Sequence, residues 1–120
     1  MQQEIKISED KKYLIANFEG NGLIGDFLKG GKAIADECKE RDIHKVLIDS
    51  RKLKANIGAL DCISLINSMK RMDFDDQSRF AFLYSDNDDI YQFIETAAIN
   101  RGTILKVFKE KKEAYRWLLR

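Results

Sequence analysis

The chain has 120 residues, 44% of them hydrophobic and 34% charged, with 21 basic residues against 20 acidic ones for a net charge of +1. That length predicts one domain over residues 1–120, and the balance of apolar and charged residues predicts an ordered, well-solvated one. A duplex-binding domain shows a basic excess and a membrane span needs about 20 apolar residues in a row, so no nucleic-acid partner and no membrane insertion are expected.

Residues 2–7 and 12–19 read as two strands. Ser8-Glu9-Asp10-Lys11 joins them through a connection short enough for a hairpin, which makes the pair antiparallel. A helix follows over about 23–41, with Leu23, Phe27, Ile34 and Cys38 on one face. Lys45 to Asp49 forms a short apolar strand. A second helix over 58–72 stacks Ala59, Ile63, Ile66 and Met69, and Arg79 to Tyr84 forms the next strand. In the third helix Asp86 can cap the start, with Asp88 and Asp89 in the first turn where negative charge favours the dipole. Ile90, Phe93, Ile94 and Ala97 make its buried face. Arg101 lies in its last turn, and Gly102 stands where a left-handed residue is wanted. Thr103 to Phe108 is the last strand, and 109–119 is a closing helix with Ala114, Trp117 and Leu118 inward. The order is ββαβαβαβα, and consecutive βα units imply a mixed, mostly parallel sheet flanked by helices.

Specific residues then carry a resemblance. Tyr13-Leu14-Ile15-Ala16-Asn17-Phe18-Glu19-Gly20 and Val46-Leu47-Ile48-Asp49-Ser50-Arg51 look like a strand-Gly landmark and an "LiDxR" landmark. Asn100-Arg101-Gly102, Val107-Phe108-Lys109 and Glu113-Ala114-Tyr115-Arg116-Trp117-Leu118 look like a closing "nRG…vF…eAxxWL" pattern. Together they resemble the SpoIIAA-like (STAS-type) family across almost the whole chain. The resemblance implies a SpoIIAA-like α/β fold, a kind compared with STAS domains and with Sec14-type lipid carriers. STAS-type anti-sigma-factor antagonists also carry Asp-Ser-Ser-Gly where the strand after the first helix hands over to the next helix, and a serine there is phosphorylated. In this chain Ala55-Asn56-Ile57-Gly58 takes that place. Asn56 can cap a helix but cannot accept a phosphoryl group, and Ser50 and Ser64 are too far along the chain to substitute, so the switch is expected to be lost.

Several motifs invite a function and lose it on inspection. Gly20-Asn21-Gly22-Leu23-Ile24-Gly25 is a formal GxGxxG after a strand and before a helix. Glu19 puts a carboxylate against any pyrophosphate, Lys29 stands where close packing needs a small residue, and the chain is too short for a second doubly wound half. The glycines are read instead as turning the chain into the helix. Gly30 and Gly31 mark close packing of the first helix, or alternatively a break over a ligand cavity. Asp73, Asp75 and Asp76 belong to a solvated loop at the wrong edge for an active site. Asp86, Asp88 and Asp89 read as a helix cap. His44 is the sole histidine, at a strand start, and no catalytic set can be assembled around it. The Lys109–Glu113 run is a solvated helix face.

Cys38 and Cys62 lack CxxC spacing and a nearby histidine, and the opening residues lack the apolar core of an export signal. Reduced packing thiols, a cytoplasmic location and no metal or cofactor are therefore expected. Asp49 is the exception among the acids, because it ends a buried strand. With Arg51, Asn56, Ser85 and Asp86 it marks the carboxyl edge of the sheet, where open α/β folds bind ligands or partners, and Lys109 lines the same edge. Arg51 can pair with Asp49 or Asp86 and order that edge. Three functions fit: a noncatalytic interaction or regulatory module with an unknown protein partner, a carrier or sensor of a small apolar ligand, and a small enzyme or anion site at Asp49. A homodimer is compatible with each.

Overall fold

The computed structural model describes residues 1–85 and 89–120. Its elements are β1 (Gln2–Ile7), β2 (Leu14–Gly22), α1 (Ile24–Arg41), β3 (Lys45–Ala55), α2 (Ala59–Lys70), β4 (Arg79–Leu83), α3 (Ile90–Asn100), β5 (Ile104–Phe108) and α4 (Lys111–Leu119). This is the expected order. The strands lie side by side as β1-β2-β3-β4-β5, antiparallel between β1 and β2 and parallel from there on. Because the parallel strands advance across the sheet without reversing, right-handed crossovers put α1, α2 and α3 on one face.

The side chains agree. Val46, Ile48, Phe80 and Phe82 face the helices, packing with Phe27 and Ile34 of α1, Leu65 and Ile66 of α2, and Ile94 of α3. Leu47, Ala81 and Leu83 point the other way onto Ala114 and Leu118 of α4. The alternation along β3 and β4 thus feeds two cores, which is why both strands read as nearly continuous apolar runs. At the far end of α4, Arg79 donates to the Trp117 carbonyl at 2.9 Å and stacks over the Trp117 ring, satisfying the helix terminus with a cation.

Several expectations need correction. Leu23 is not on the buried face of α1; it is the residue before the helix and is exposed. In α2 the buried stripe is Cys62, Leu65, Ile66 and Met69, whereas Ala59 is exposed and Ile63 only half-buried. In α3 it is Tyr91, Ile94, Ala97 and Ala98, and Phe93 is 39% exposed. The three-and-four spacing survives in both helices; the rotation about the axis differs, because each helix packs on the sheet and on its neighbours at once. Asp89 is the residue before α3 and makes no side-chain cap, while Asp86 and Asp88 lie outside the described residues. Trp117 is half-buried, packing beside the α4 core.

The glycines behave differently from one another. Gly20 and Gly22 do not form a turn into α1: both belong to β2, and only Leu23 separates that strand from the helix. Gly30 and Gly31 sit inside an unbroken α1. A methyl group on Gly30 would stand 2.9 Å from Gln3 Oε1 and 3.3 Å from Phe18 Cζ, and one on Gly31 would stand 3.3 Å from Met72 Sδ. The close-packing alternative is therefore the one these positions support. Gly102 has φ of +76°, and the following N–H of Thr103 returns to Ala98 O at 2.9 Å. That closes α3 as expected.

Candidate functional site

Asp49 does not end its strand. β4 stops at Leu83, opposite Asp49, but β3 continues to Ala55, paired with β2 alone. The pairing jumps from Asn17↔Asp49 to Glu19↔Lys52, so Phe18 faces both Ser50 and Arg51. This is a bulge, and one extra residue reverses which side chains face which way. Its effect is visible in the core: Ile48 and Leu53 are an odd number apart yet both face the α1 layer.

The bulge turns Arg51 back onto Asp49. Arg51 Nε donates to Asp49 Oδ1 at 3.0 Å, Nη2 donates to Oδ2 at 2.8 Å, and the Arg51 backbone N–H donates to Oδ1 at 3.2 Å. Ser85 Oγ donates to the Arg51 carbonyl at 2.9 Å, tying the start of the β4–α3 connection to the same bulge. Burial alone would raise the Asp49 carboxyl. The Arg51 hydrogen bonds, helped by the Arg51 and Lys111 charges, outweigh it and hold that carboxyl below its ordinary value. Asp49 lies on the α4 face, beside Tyr115. Burial, then a hydrogen bond with Tyr13 and the Asp49 charge, push the Tyr115 hydroxyl up to about 12. A groove of 560 Å³ opens here, walled by Glu4, Asn17, Glu19, Asp49, Lys52 and Lys111.

Asn56 is elsewhere. At about 3.3 Å per strand residue it stands roughly 16 Å beyond Arg51, at the tip where β2 and β3 project past the rest of the sheet. There its Nδ2 donates to Asn21 Oδ1 and its backbone N–H to Gly22 O. It does not cap α2. Gly58 precedes that helix, and Asp61 in the first turn accepts from the Gly58 N–H at 3.1 Å. Asp26 does the same for the Leu23 N–H at 2.9 Å in α1. The five residues expected at one edge therefore divide: Asp49, Arg51 and Ser85 come together, Asn56 marks the tip, and Asp86 lies outside the described residues. Lys109 sits over the Tyr84 ring.

Ser50 is 2% exposed, and among the described residues its hydroxyl has no hydrogen-bond partner. The opposite, amino edge holds His44, whose Nε2 lies 2.9 Å from Asp42 Oδ1, and a cleft of 270 Å³ lined by Lys70, Asp75, Asp76 and Thr103. Between α1, α2 and the sheet lies an apolar cleft of about 30 Å³ lined by Phe18, Phe27, Gly31, Leu65 and Phe82 among others. Among the described residues, no helix is long and apolar enough to cross a membrane.

Sequence reasoning missed Asn17, Lys111 and Tyr115 around Asp49, because they come from two other elements, β2 and α4, brought to it by the register of the sheet and the packing of α4. It also set Leu23 on the buried face of α1 and passed over Leu60; the two are 57% and 80% exposed at the starts of α1 and α2. The faint signal for Leu60 was its place one residue off the α2 stripe.

A mixed five-stranded sheet with an antiparallel first pair, three helices on one face and one on the other is the SpoIIAA-like α/β fold, and this chain has it. An uncharacterised protein of the DUF3478 family from Shewanella loihica PV-4, with a SpoIIAA-like fold, is similar at a TM-score of 0.61 and 21% identity, over 98% of this chain and 92% of that one. The anti-sigma factor antagonist SpoIIAA in its unphosphorylated form is similar at 0.59 and 6% identity, over 97% and 96%. The Bacillus cell fate determinant SpoIIAA in its phosphorylated form is similar at 0.54 and 6% identity, over 97% and 99%. At such identities the likeness is one of fold. No family profile matches the chain, and no curated protein matches it.

Proposed function

We propose that this chain is a STAS-like regulatory module that binds a partner protein at the tip formed by β2 and β3, without a phosphoserine switch. The observation that carries this reading is the pair of exposed leucines, Leu23 and Leu60, flanking the Asn21–Asn56 contact at the starts of α1 and α2. Large apolar side chains held in water on rigid helix starts, with amide groups between them, are what the centre of a protein contact requires. In STAS-type antagonists the same handover from strand to helix is where the phosphorylated serine acts. Here no hydroxyl stands at 55–58, and Ser50 is buried. The Asp49–Arg51–Ser85 set serves this reading by fixing the bulge from which the tip projects.

The test is capture of the partner from native cells, followed by loss of that partner on mutation. Leu23→Asp and Leu60→Asp should each release it, and His44→Ala at the far edge should retain it, with all three variants folded by circular dichroism. Retention by both leucine variants would put the contact elsewhere. Incubation with the partner kinase of a STAS-type antagonist should add no phosphate within residues 50–58, read by intact mass and peptide mapping.

A carrier of a small apolar ligand is the second reading, favoured by the apolar cleft beside Gly31. At about 30 Å³ it admits one or two water-sized groups, so a lipid chain would need α1 to lift from the sheet. Native mass spectrometry of freshly purified protein would reveal such a ligand. An anion in the Asp49 groove is the third, supported by Lys52 and Lys111 at its wall.

A further inference from the structure

The sheet has two outer strands: β1 borders only β2, and β5 borders only β4. An outer strand offers unpaired N–H and C=O groups to any strand laid beside it. The β5 edge is guarded, because Glu95 Oε2 on α3 accepts the Val107 N–H at 3.1 Å and takes a donor that an added strand would need. The β1 edge carries no comparable guard among the described residues; the Gln3 amide reaches inward to Gly30 O instead.

Side chains on β1 alternate strictly. Gln2, Glu4 and Lys6 are exposed on the α4 side of the sheet, while Gln3, Ile5 and Ile7 are half-buried at the rim of the main core. Lys6 Nζ and Glu4 Oε1 are 3.1 Å apart, so the two charges share one face within reach of each other. The rim of isoleucines is left half in water.

We propose that β1 pairs antiparallel with β1 of a second copy of this chain, about a two-fold axis through Ile5, joining the two sheets into one. The register follows from geometry and charge. Backbone groups that point outward must meet groups that point outward, so the axis passes through a residue and not between two. An axis through Glu4 sets Glu4 against the partner's Glu4, and an axis through Lys6 sets Lys6 against the partner's Lys6. Both place like charges directly opposite, which destabilises a strand pair. An axis through Ile5 sets each Glu4 against the partner's Lys6, twice by symmetry. On the other face it sets Ile5 against the partner's Ile5, and Ile7 against the partner's Gln3, finishing the burial that the single copy leaves undone. Axes farther out lose strand pairs at one end.

A contact this size is smaller than a standard interface, so the dimer should be weak and concentration-dependent. Sedimentation velocity at low salt, up to about 1 mM protein, should show a monomer–dimer equilibrium that loosens as salt rises. Glu4→Lys and Lys6→Glu should each weaken it by about tenfold or more, since each reverses two facing pairs. The combined variant Glu4→Lys/Lys6→Glu should regain the wild-type constant, and the two single variants mixed should associate with each other. Ile5→Cys should form an intermolecular disulfide under mild oxidation, against the low background of buried Cys38 and Cys62. A chain that stays monomeric throughout, a dimer indifferent to either reversal, or a combined variant that fails to recover would each overturn the proposal.

Discussion

Gly102→Ala should lower the stability of the fold by about 1 kcal/mol, and the cost arises in the backbone. Gly102 has φ of +76°, in the left-handed region. An added methyl group would meet nothing nearer than Lys70 Nζ at 3.9 Å, so crowding contributes nothing. What is left is the conformational penalty itself, about 1–2 kcal/mol for an L-residue, offset in part by the lower freedom of alanine in the unfolded chain. At roughly 2.1 cal/mol/K per residue, unfolding 120 residues carries an entropy of roughly 250 cal/mol/K, so the melting temperature should fall by about 4 °C. Gly25 is the control. It lies in the first turn of α1, where a methyl group would meet nothing within 4 Å, and its φ is ordinary. Gly25→Ala should raise stability by about 0.5–1 kcal/mol through helix propensity alone. Calorimetric and circular dichroism melts of the two variants should move in opposite directions. If Gly102→Ala melts at or above the wild type, the left-handed closure of α3 is refuted.

Gly22→Ala should cost about 1–3 kcal/mol, because its methyl would lie 2.9 Å from Phe27 Cε2 and 3.3 Å from Leu53 Cδ1; an unchanged urea midpoint would contradict that packing. The Asp49 carboxyl is held below its ordinary value of 3.8, so the stability it contributes is complete above that pH and is lost as pH falls through the folded value. Asp49→Asn should therefore lower the urea midpoint by a constant amount at neutral pH and converge with wild type in acid, below about pH 4; curves that stay parallel through that acid limb would show Asp49 to be uncoupled from folding. Burial raises the Cys38 thiol to about 12, so at pH 8 roughly one part in ten thousand is thiolate, and Ellman's reagent should label neither cysteine until urea unfolds the chain.

Much of this fold was legible along the chain because its signals are local. The change from two-residue alternation to three-and-four spacing announced each helix, and Gly102 announced the end of α3. Arg51-Lys52-Leu53-Lys54, by contrast, read as lying beyond a strand that ends at Asp49, since a run that polar does not look buried. It is strand because β2 alone accompanies it and both its faces are partly open to water. Asn56 suggested a helix cap by residue type, but the bond it makes is to Asn21, thirty-five positions away. The stripes on α2 and α3 were found with the right spacing and the wrong rotation, because spacing is a property of one helix and rotation is set by what lies beneath it.

By itself, then, the sequence determined the order of elements, the antiparallel start, the α/β class and the absence of a hydroxyl at residues 55–58. All of these depend on neighbours within a turn or a strand. Only the tertiary structure decided that Asp49 lies mid-strand, that Arg51 folds back on it, and that Ser85 joins them while Asn56 does not. Those placements follow from one bulge, where Phe18 of β2 faces both Ser50 and Arg51 of β3. A bulge is a mismatch in pairing between segments some thirty residues apart, and no local periodicity records which residue of one strand will meet which residue of the other.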